Sequence, residues 1–547
     1  MQDASEIARW INMKHAVVIG GGHNGLVCAW YLAEAGHKVT VLEKREIVGG
    51  AAITEEFHPG FRNSVASYTV SLLNPKVIND LELGRHGLEI VERRMNNFFP
   101  LDDGSALEAG PGLTKASVAQ FSPRDAEALD GFDAMLAAAA NVLRDLLLRT
   151  PPNVTEGNWI SAVPELLKAA SLGRQFADLS LEARRDVLDL FTCSASEILD
   201  RWFESDPVKA LFGFDGIVGN WTSPEAPGTA YVLLHHHFGE VNGKRGIWGH
   251  AIGGMGAITQ AMQKACEEKG VTIRTSAPVA RIDTRGGRVS AIVTEDGTRI
   301  EADLVASNIH PQLLVGTLLA DAPLPGDFRR RIGYWQSGSG TFRMNLALDR
   351  LPEFTARPEP GDHLTSGIVI APSLDYMDRA YRDSRDHGWS RQPIIEMLIP
   401  STLDPTLAPE GKHVASLFCQ HVAPELPDDF PGGSSWDDHR EAVADLMIAT
   451  IDRHAPGFAQ SVLGRQVLSP LDLERKLSLV GGDIFHGKLS LNQLFSARPV
   501  LGHGAYRAPL PGLYMCGSST HPGGGVTGIP GHNAAREILN DIRARRV

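Results

Sequence analysis

The sequence contains no C-x-x-C pair. Its five cysteines, Cys28, Cys193, Cys266, Cys419 and Cys516, stand far apart. That excludes a dithiol redox centre and a cysteine-based metal site, and it fits a reducing compartment without disulfides. Isolated cysteines of this kind are expected to be buried rather than reactive. No run approaches the roughly 18 apolar residues that a membrane-spanning helix needs. The first 13 residues carry Asp3, Glu6 and Arg9 without a long apolar block, so they do not read as a secretory signal. The expected location is cytoplasmic. Positive charge is also scarce: 52 Lys and Arg face 65 Asp and Glu, a formal charge of −13. This argues against a general nucleic-acid binder. Repeats and low-complexity tracts are absent, and hydrophobic and charged residues make up 43% and 21%, as in an ordinary globular protein. At roughly 100–200 residues per domain, the chain holds two or three domains.

What is present begins near residue 15. The apolar run His15–Ile19 reads as a buried strand, Leu26–Ala35 as a helix and Lys38–Leu42 as a second strand, together a βαβ start. Between strand and helix lies Gly20-x-Gly22-x-x-Gly25. Glycine is 56 of 547 residues, so such a triplet alone would arise by chance about 0.5 times in a chain this long. Its context gives it weight. One glycine makes the tight turn, a second lets the backbone approach a pyrophosphate, and the third lets helix and strand pack closely. The pyrophosphate would face the free N–H groups at the helix N-terminus. Glu43, at the end of the second strand, is placed to accept ribose hydroxyls and to repel a 2′-phosphate. Gly20, Gly22, Asn24, Gly25, Glu43 and Lys44 are therefore candidate cofactor-binding residues. The alternative is a tight βα turn without a ligand.

Further along, residues 115–215 repeat Ala, Leu, Asp and Arg at helical spacing, for example Met135, Leu136, Ala139, Val142, Leu143 and Leu146. A helix is expected over Ala257–Lys269 and a hairpin over Arg281–Arg299, with turns at Gly286-Gly287 and Asp296-Gly297. Strand-like runs follow at Thr341–Leu348, Gly367–Ile370, Ile394–Ile399 and His413–Cys419, then a helix over Trp436–His454. The C-terminal region reads strand (Leu513–Cys516), glycine-rich turn, helix (Gly531–Arg543).

Six residues after Glu43 comes Gly49-Gly50, inside EKREIVGGAAIT. Here the sequence resembles the flavin amine oxidase and phytoene desaturase superfamily, in which a second glycine pair follows the ribose-binding acid. Where that pattern has Arg after the pair, this chain has Ala51, which weighs against the amine-oxidase branch. Residues 253–282, the segment GGDIFHG at 481–487 and GLYMCGSSTHPGGGVTGIPGHNAAREIL at 512–539 extend the likeness to the carotenoid desaturase branch, over about residues 14–540. The nearest subgroup is phytoene-desaturase-like and carries a pyridine nucleotide-disulfide label that the missing C-x-x-C contradicts. The resemblance implies FAD as cofactor. It implies that Gly49, Gly50 and Ala51 belong to its site, that the Val279 backbone meets the adenine, and that Gly517 lets the chain turn close to the ribityl or phosphate groups. It also implies that backbone N–H groups around Gly525, Val526 and Thr527 face flavin N1 and O2, where N–H dipoles stabilise the charge of reduced flavin.

The expected architecture is α/β: a discontinuous Rossmann-type FAD-binding domain (1–75, 245–335 and 495–547) and a substrate domain (76–244 and 336–494) with a mixed β-sheet and a helical cap. The expected reaction is FAD-dependent dehydrogenation, or its reverse, at a C–H of a largely apolar small molecule, with oxygen or a quinone as electron acceptor. Oxidation of an amine or another C–H next to a heteroatom, and a flavin-binding partner protein without turnover, are the alternatives. Desaturation also releases a proton. His521, directly before the flavin-facing glycines, and His237 in an extended YVLLHHHF segment are the candidate catalytic groups. Packing histidines are the alternative at both places. His421, His486 and Arg343 are weaker candidates, with Arg343 placed on a cavity wall or in a buried ion pair. No set of residues with metal-ligand spacing is found. Arg144, Arg149, Lys168, Arg174, Arg184 and Arg185 could give the helical stretch a peripheral membrane contact; plain helix packing is the commoner meaning of that pattern.

Overall fold

The computed structural model describes residues 13–153, 155 and 159–547. The expectations attached to Asp3, Glu6 and Arg9 lie outside the described residues. Five short apolar strands form a parallel sheet in the order Thr272–Arg274, Lys38–Leu42, His15–Ile19, Leu304–Ser307, Leu513–Met515. Central strands such as AVVI and VTVL are buried on both faces, as a covered parallel sheet requires. One face is covered by the helix His23–Glu34, which packs between Gly256–Glu268 and Ile529–Arg543. The other face meets the antiparallel meander Val279–Arg285, Arg288–Thr294 and Arg299–Glu301, where Val17, Ile19 and Leu42 share a core with Ile282, Val289 and Ile292.

The second sheet has seven strands in the order Val462–Leu468, Phe342–Leu348, His413–Val422, Trp389–Leu398, Gly367–Ile370, Asn97–Pro100, Ala106–Ala109. Its neighbours are antiparallel except Gly367–Ile370 with Asn97–Pro100. One face packs on the helix Trp436–His454. The other, through Val369, Ile394 and Phe418, packs on the helices of the 114–213 stretch. Among those helices, Pro123–Leu147 buries Leu129, Phe132, Leu136, Ala139, Ala140 and Leu143, a single stripe at helical spacing. Arg144 on this helix turns inward, donating to the carbonyls of His237 (2.7 Å) and Phe238 (3.0 Å). It is therefore no part of an exposed basic face. No helix among the described residues is long and apolar enough to cross a membrane.

One expectation about local structure is corrected. The segment YVLLHHHF is not extended: Thr229–His236 is an α-helix entered through Gly228, whose φ is +83°. Ala230, Leu233 and Leu234 are buried in the helical core, a spacing of three and four that suits a helix and not a strand. The Val and Tyr content, which suggested a strand, was overridden by packing on the neighbouring helices.

A buried carboxylate ties the second sheet's loop to the first unit. Asp404 is fully buried; it accepts the N–H of Gly253 (2.7 Å) and of Thr406 (2.9 Å) and meets His250 Nε2 at 3.2 Å. Despite burial, the His250 and Thr406 hydrogen bonds and the backbone N–H groups bring its pKa down to about 2. A carboxyl depressed below its unfolded value of about 3.9 contributes stability above that pH, and the contribution disappears as pH falls through the folded value. We expect urea midpoints of the wild type to fall as pH drops from 4 toward about 2, and D404N to show a lower midpoint at neutral pH with a flatter acid limb. Identical acid limbs for the two proteins would refute this role.

Candidate functional site

The βα turn is built as its residues require. Gly25 lies so close to the strand end that a Cβ there would stand 2.1 Å from Gly20 O, which only glycine can avoid. Glu43 is 6% exposed and braces the turn, its Oε2 accepting the Gly21 N–H (2.8 Å) and its Oε1 the Arg45 N–H (3.0 Å). Gly49 donates its N–H to Gly21 O at 2.9 Å, which locks the second glycine pair onto the first turn. From the far side, Asn308 follows the strand Leu304–Ser307 and donates to Gly20 O at 3.2 Å. The two ends of the described chain meet here, with Asn24 Nδ2 donating to Ser518 Oγ at 3.1 Å.

In the C-terminal motif, Gly517 sits against Asn308, where a Cβ would lie 3.0 Å from the Asn308 carbonyl oxygen. Gly525, with φ +104°, passes so close to Leu72 that a Cβ would stand 2.6 Å from its Cδ1. Thr527 Oγ1 then accepts the Ile529 N–H (3.1 Å) at the start of the last helix, and Thr527 O accepts the Asn74 N–H (3.1 Å).

Between these two turns runs a cavity of about 450 Å³. Gly20, Gly22, Glu43, Lys44, Gly50, Ala51, Val279, Gly525 and Val526 line it. Asn24, Gly25, Gly49, Gly517 and Thr527 lie behind that wall and hold it in place. Asn308 also lines the cavity. The sequence signal that could have found it is a polar residue at the C-terminal end of a parallel strand, where such sheets bind ligands.

Histidines stand around the middle of the cavity. His23, His310 and His486 line it. Burial, with His486 nearby, brings His23 down to about 3; burial and Arg498 bring His486 down to about 4; burial, His486 and Arg498 bring His310 to about 2. All three are neutral at physiological pH. His310 is occupied, its Nε2 bonded to Ser337 Oγ at 2.8 Å. His23 Nε2 and His486 Nδ1 are buried without any partner.

The candidate catalytic histidines are placed differently from the expectation. The His521 ring bonds through Nε2 to Leu146 O (3.1 Å) and packs edge-on against Phe495. It serves the helix end and does not line the cavity. His237 Nδ1 faces Leu233 O within its own helix, and of the three consecutive histidines it is His236 that lines the cavity. Arg343 is buried behind the wall: its NH2 donates to Ser416 Oγ (2.8 Å), and its guanidinium lies 4.5 Å from the Tyr68 ring centroid. His421 is buried away from the lining.

A polar cluster elsewhere on the cavity wall has no local sequence pattern. Tyr68, Arg93, Asp215, Trp248 and Glu396 converge from five separate segments. Tyr68 donates its hydroxyl to Glu396 Oε2. Burial pushes the Glu396 carboxyl up, opposed by Arg93 and the Tyr68 hydrogen bond, and burial pushes Asp215 up to about 8. Leu72, Phe214, Val218, Ile484 and Phe485 complete the walls.

The comparisons agree with this geometry. The family model described as flavin containing amine oxidoreductase matches residues 25–388. The chain is 40% identical to pyridine nucleotide-disulfide oxidoreductase domain-containing protein 2 of Rattus norvegicus, over 96% of this chain and 94% of the relative. It is 26% identical to the lycopene-forming phytoene desaturase of Pantoea ananas, over 97% of this chain and all (100%) of that one. An oxidoreductase from Methanosarcina mazei shares the fold, with a TM-score of 0.57 at 16% identity, covering 96% of this chain and 100% of the other. The resemblance to phytoene desaturases drawn from the two glycine-rich motifs is thus upheld. The disulfide in the first relative's name finds no counterpart here, since all five cysteines are free.

The residues present fit FAD. The Gly20–Gly22 turn leaves open backbone at a helix N-terminus, Glu43 borders it, and the unpartnered His23 Nε2 and His486 Nδ1 offer hydrogen bonds along the cavity. A Cβ at Gly22 would stand 2.9 Å from Asn308 Nδ2, so G22V is expected to purify without flavin colour; a variant as yellow as the wild type would refute the N-terminal assignment. H521A is expected to keep FAD and its single-turnover reduction rate while losing about 1–3 kcal/mol of stability with the hydrogen bond. A slowed reduction in a fully flavinylated variant would restore His521 to the chemistry.

Proposed function

Because this chain belongs to the flavin-containing amine oxidoreductase family and is an FAD-dependent oxidoreductase, we propose that it dehydrogenates, or in reverse saturates, a largely apolar small molecule. FAD supplies the two-electron acceptor when bound. The observation that carries the reading is the wall at the far end of the cavity, where Leu72, Phe214, Val218, Trp248, Ile484 and Phe485 face the Gly525–Val526 turn. Such a wall excludes water and gives an apolar body its orientation by shape. Proximity and orientation are most of what a protein contributes to a hydride transfer.

We divide the chain accordingly into a cofactor unit of 1–75, 245–335 and 495–547 and a substrate unit of 76–244 and 336–494. The cofactor unit would hold FAD with backbone at the Gly20–Gly22 turn and around Gly525–Thr527. For the released proton, neither His521 nor His237 reaches the cavity. Among the described residues, Glu396, Asp215 and His236 are titratable groups on the substrate wall, and Glu396 is the one held by a hydrogen bond from Tyr68.

Oxidation of an amine is less well supported. Arg93 and Arg343 stand beside Glu396, which leaves no net negative charge there to hold an ammonium group.

Anaerobic titration of the holoprotein tests this reading. We expect apolar substrates to bleach the flavin and amines to leave it oxidised, and E396Q to slow the bleaching while keeping FAD. Mixing the reduced protein with oxygen or with a quinone then identifies the acceptor. Bleaching by amines alone would overturn the proposal.

A further inference from the structure

Resting on the reading above, we propose that the far end of the cavity is an anion site in which the Arg93 guanidinium anchors a carboxylate carried by the apolar substrate. The position of Arg93 is fixed by backbone. It follows the strand Ile90–Glu92, which pairs with Gly249–Ala251, and its N–H donates to Trp248 O at 2.9 Å. Arg93 is 6% exposed and lines the cavity, and its guanidinium lies 6.0 Å from the Trp248 ring centroid. Its side chain donates one hydrogen bond, from NH2 to Thr69 Oγ1. Among the described residues it forms no ion pair, and Thr69 Oγ1 is its one side-chain hydrogen-bond partner.

The charges around it do not cancel. Glu396 is the nearest acid, and its Oε2 is already taken by Tyr68. Arg343, behind Tyr68, is a second buried guanidinium whose hydrogen-bond partners among the described residues are the Leu417 carbonyl and Ser416 Oγ, with none for its Nε. Asp215, raised by burial to about 8, is protonated at neutral pH and can itself donate a hydrogen bond. Two buried guanidiniums therefore have Glu396 as their shared carboxyl, and burial pushes that carboxyl up toward its neutral form. A buried cation in that condition favours an incoming anion, and the planar fork of arginine matches a carboxylate. Because the Arg93 guanidinium is a planar fork and the neighbouring walls Leu72, Phe214 and Val218 are apolar, the site suits a carboxylate with a hydrocarbon body.

The test measures binding of decanoate, decanol and decylamine to oxidised holoprotein, by calorimetry and by perturbation of the flavin spectrum. Decanoate is expected to bind about tenfold or more tightly than decanol, with decylamine weakest. R93Q, checked for FAD content and fold, is expected to bind acid and alcohol alike. Equal affinities in the wild type, or a preference for the amine, overturn the proposal even if R93Q fails to fold. A folded, flavin-replete R93Q that keeps the preference overturns it too. These measurements involve no turnover, so their failure is separate from failure of the dehydrogenation reading, which shows only in the anaerobic bleaching.

Discussion

The helix His23–Glu34 is pinned by backbone on two sides. Gly25 lets it approach the strand end at Gly20, and Gly531 lets the last helix approach it so closely that a Cβ there would stand 2.1 Å from Asn24 O. Residues near the two ends of the described chain are thereby forced together, and the Asn24–Ser518 and Asn308–Gly20 hydrogen bonds complete the junction. Every later feature depends on this approach. The cavity lies between two turns, one opening the helix His23–Glu34 and one opening the helix Ile529–Arg543, whose helices pack on each other.

A second constraint is the low polarizability of the space so enclosed. Burial is the largest influence on the protonation of the histidines that line it. His23, His310 and His486 are driven neutral, which makes them hydrogen-bonding groups and not fixed charges. The same burial lowers the pKa of Arg93 and Arg343, but arginine is basic enough to keep its charge, and both guanidiniums are sparsely partnered. A chamber of this kind sorts ligands by charge as well as by shape, because each interaction is stronger than it would be in water. The family likeness points to redox chemistry on an apolar body, and the electrostatics of the far wall add a polar end to that body.

Much of the architecture was legible because local and global requirements coincide. The strand His15–Ile19, the strand Lys38–Leu42 and the helix Trp436–His454 occur at the residues where periodicity places them. The hairpin turns at Gly286-Gly287 and Asp296-Gly297 lie between the strands they were expected to join. The segment around His235 was misread because its composition suits a strand while its apolar spacing also suits a helix, and packing on neighbouring helices decided the matter. His521 was misassigned because nearness in sequence to the flavin-facing glycines says nothing about where a ring turns once its peptide has been used to build the loop.

What the sequence determined by itself is the cofactor end of the site. Its fingerprint is contiguous, and its glycines are dictated by backbone clearances that no other residue satisfies. Tertiary structure alone decided the substrate end. Tyr68, Arg93, Asp215, Trp248 and Glu396 come from segments far apart in the chain, and none carries a local pattern. They become a site only when the Ile90–Glu92 ladder, the helical layer and the seven-stranded sheet close on one another, since charge and burial are properties of neighbours in space and not of neighbours in sequence.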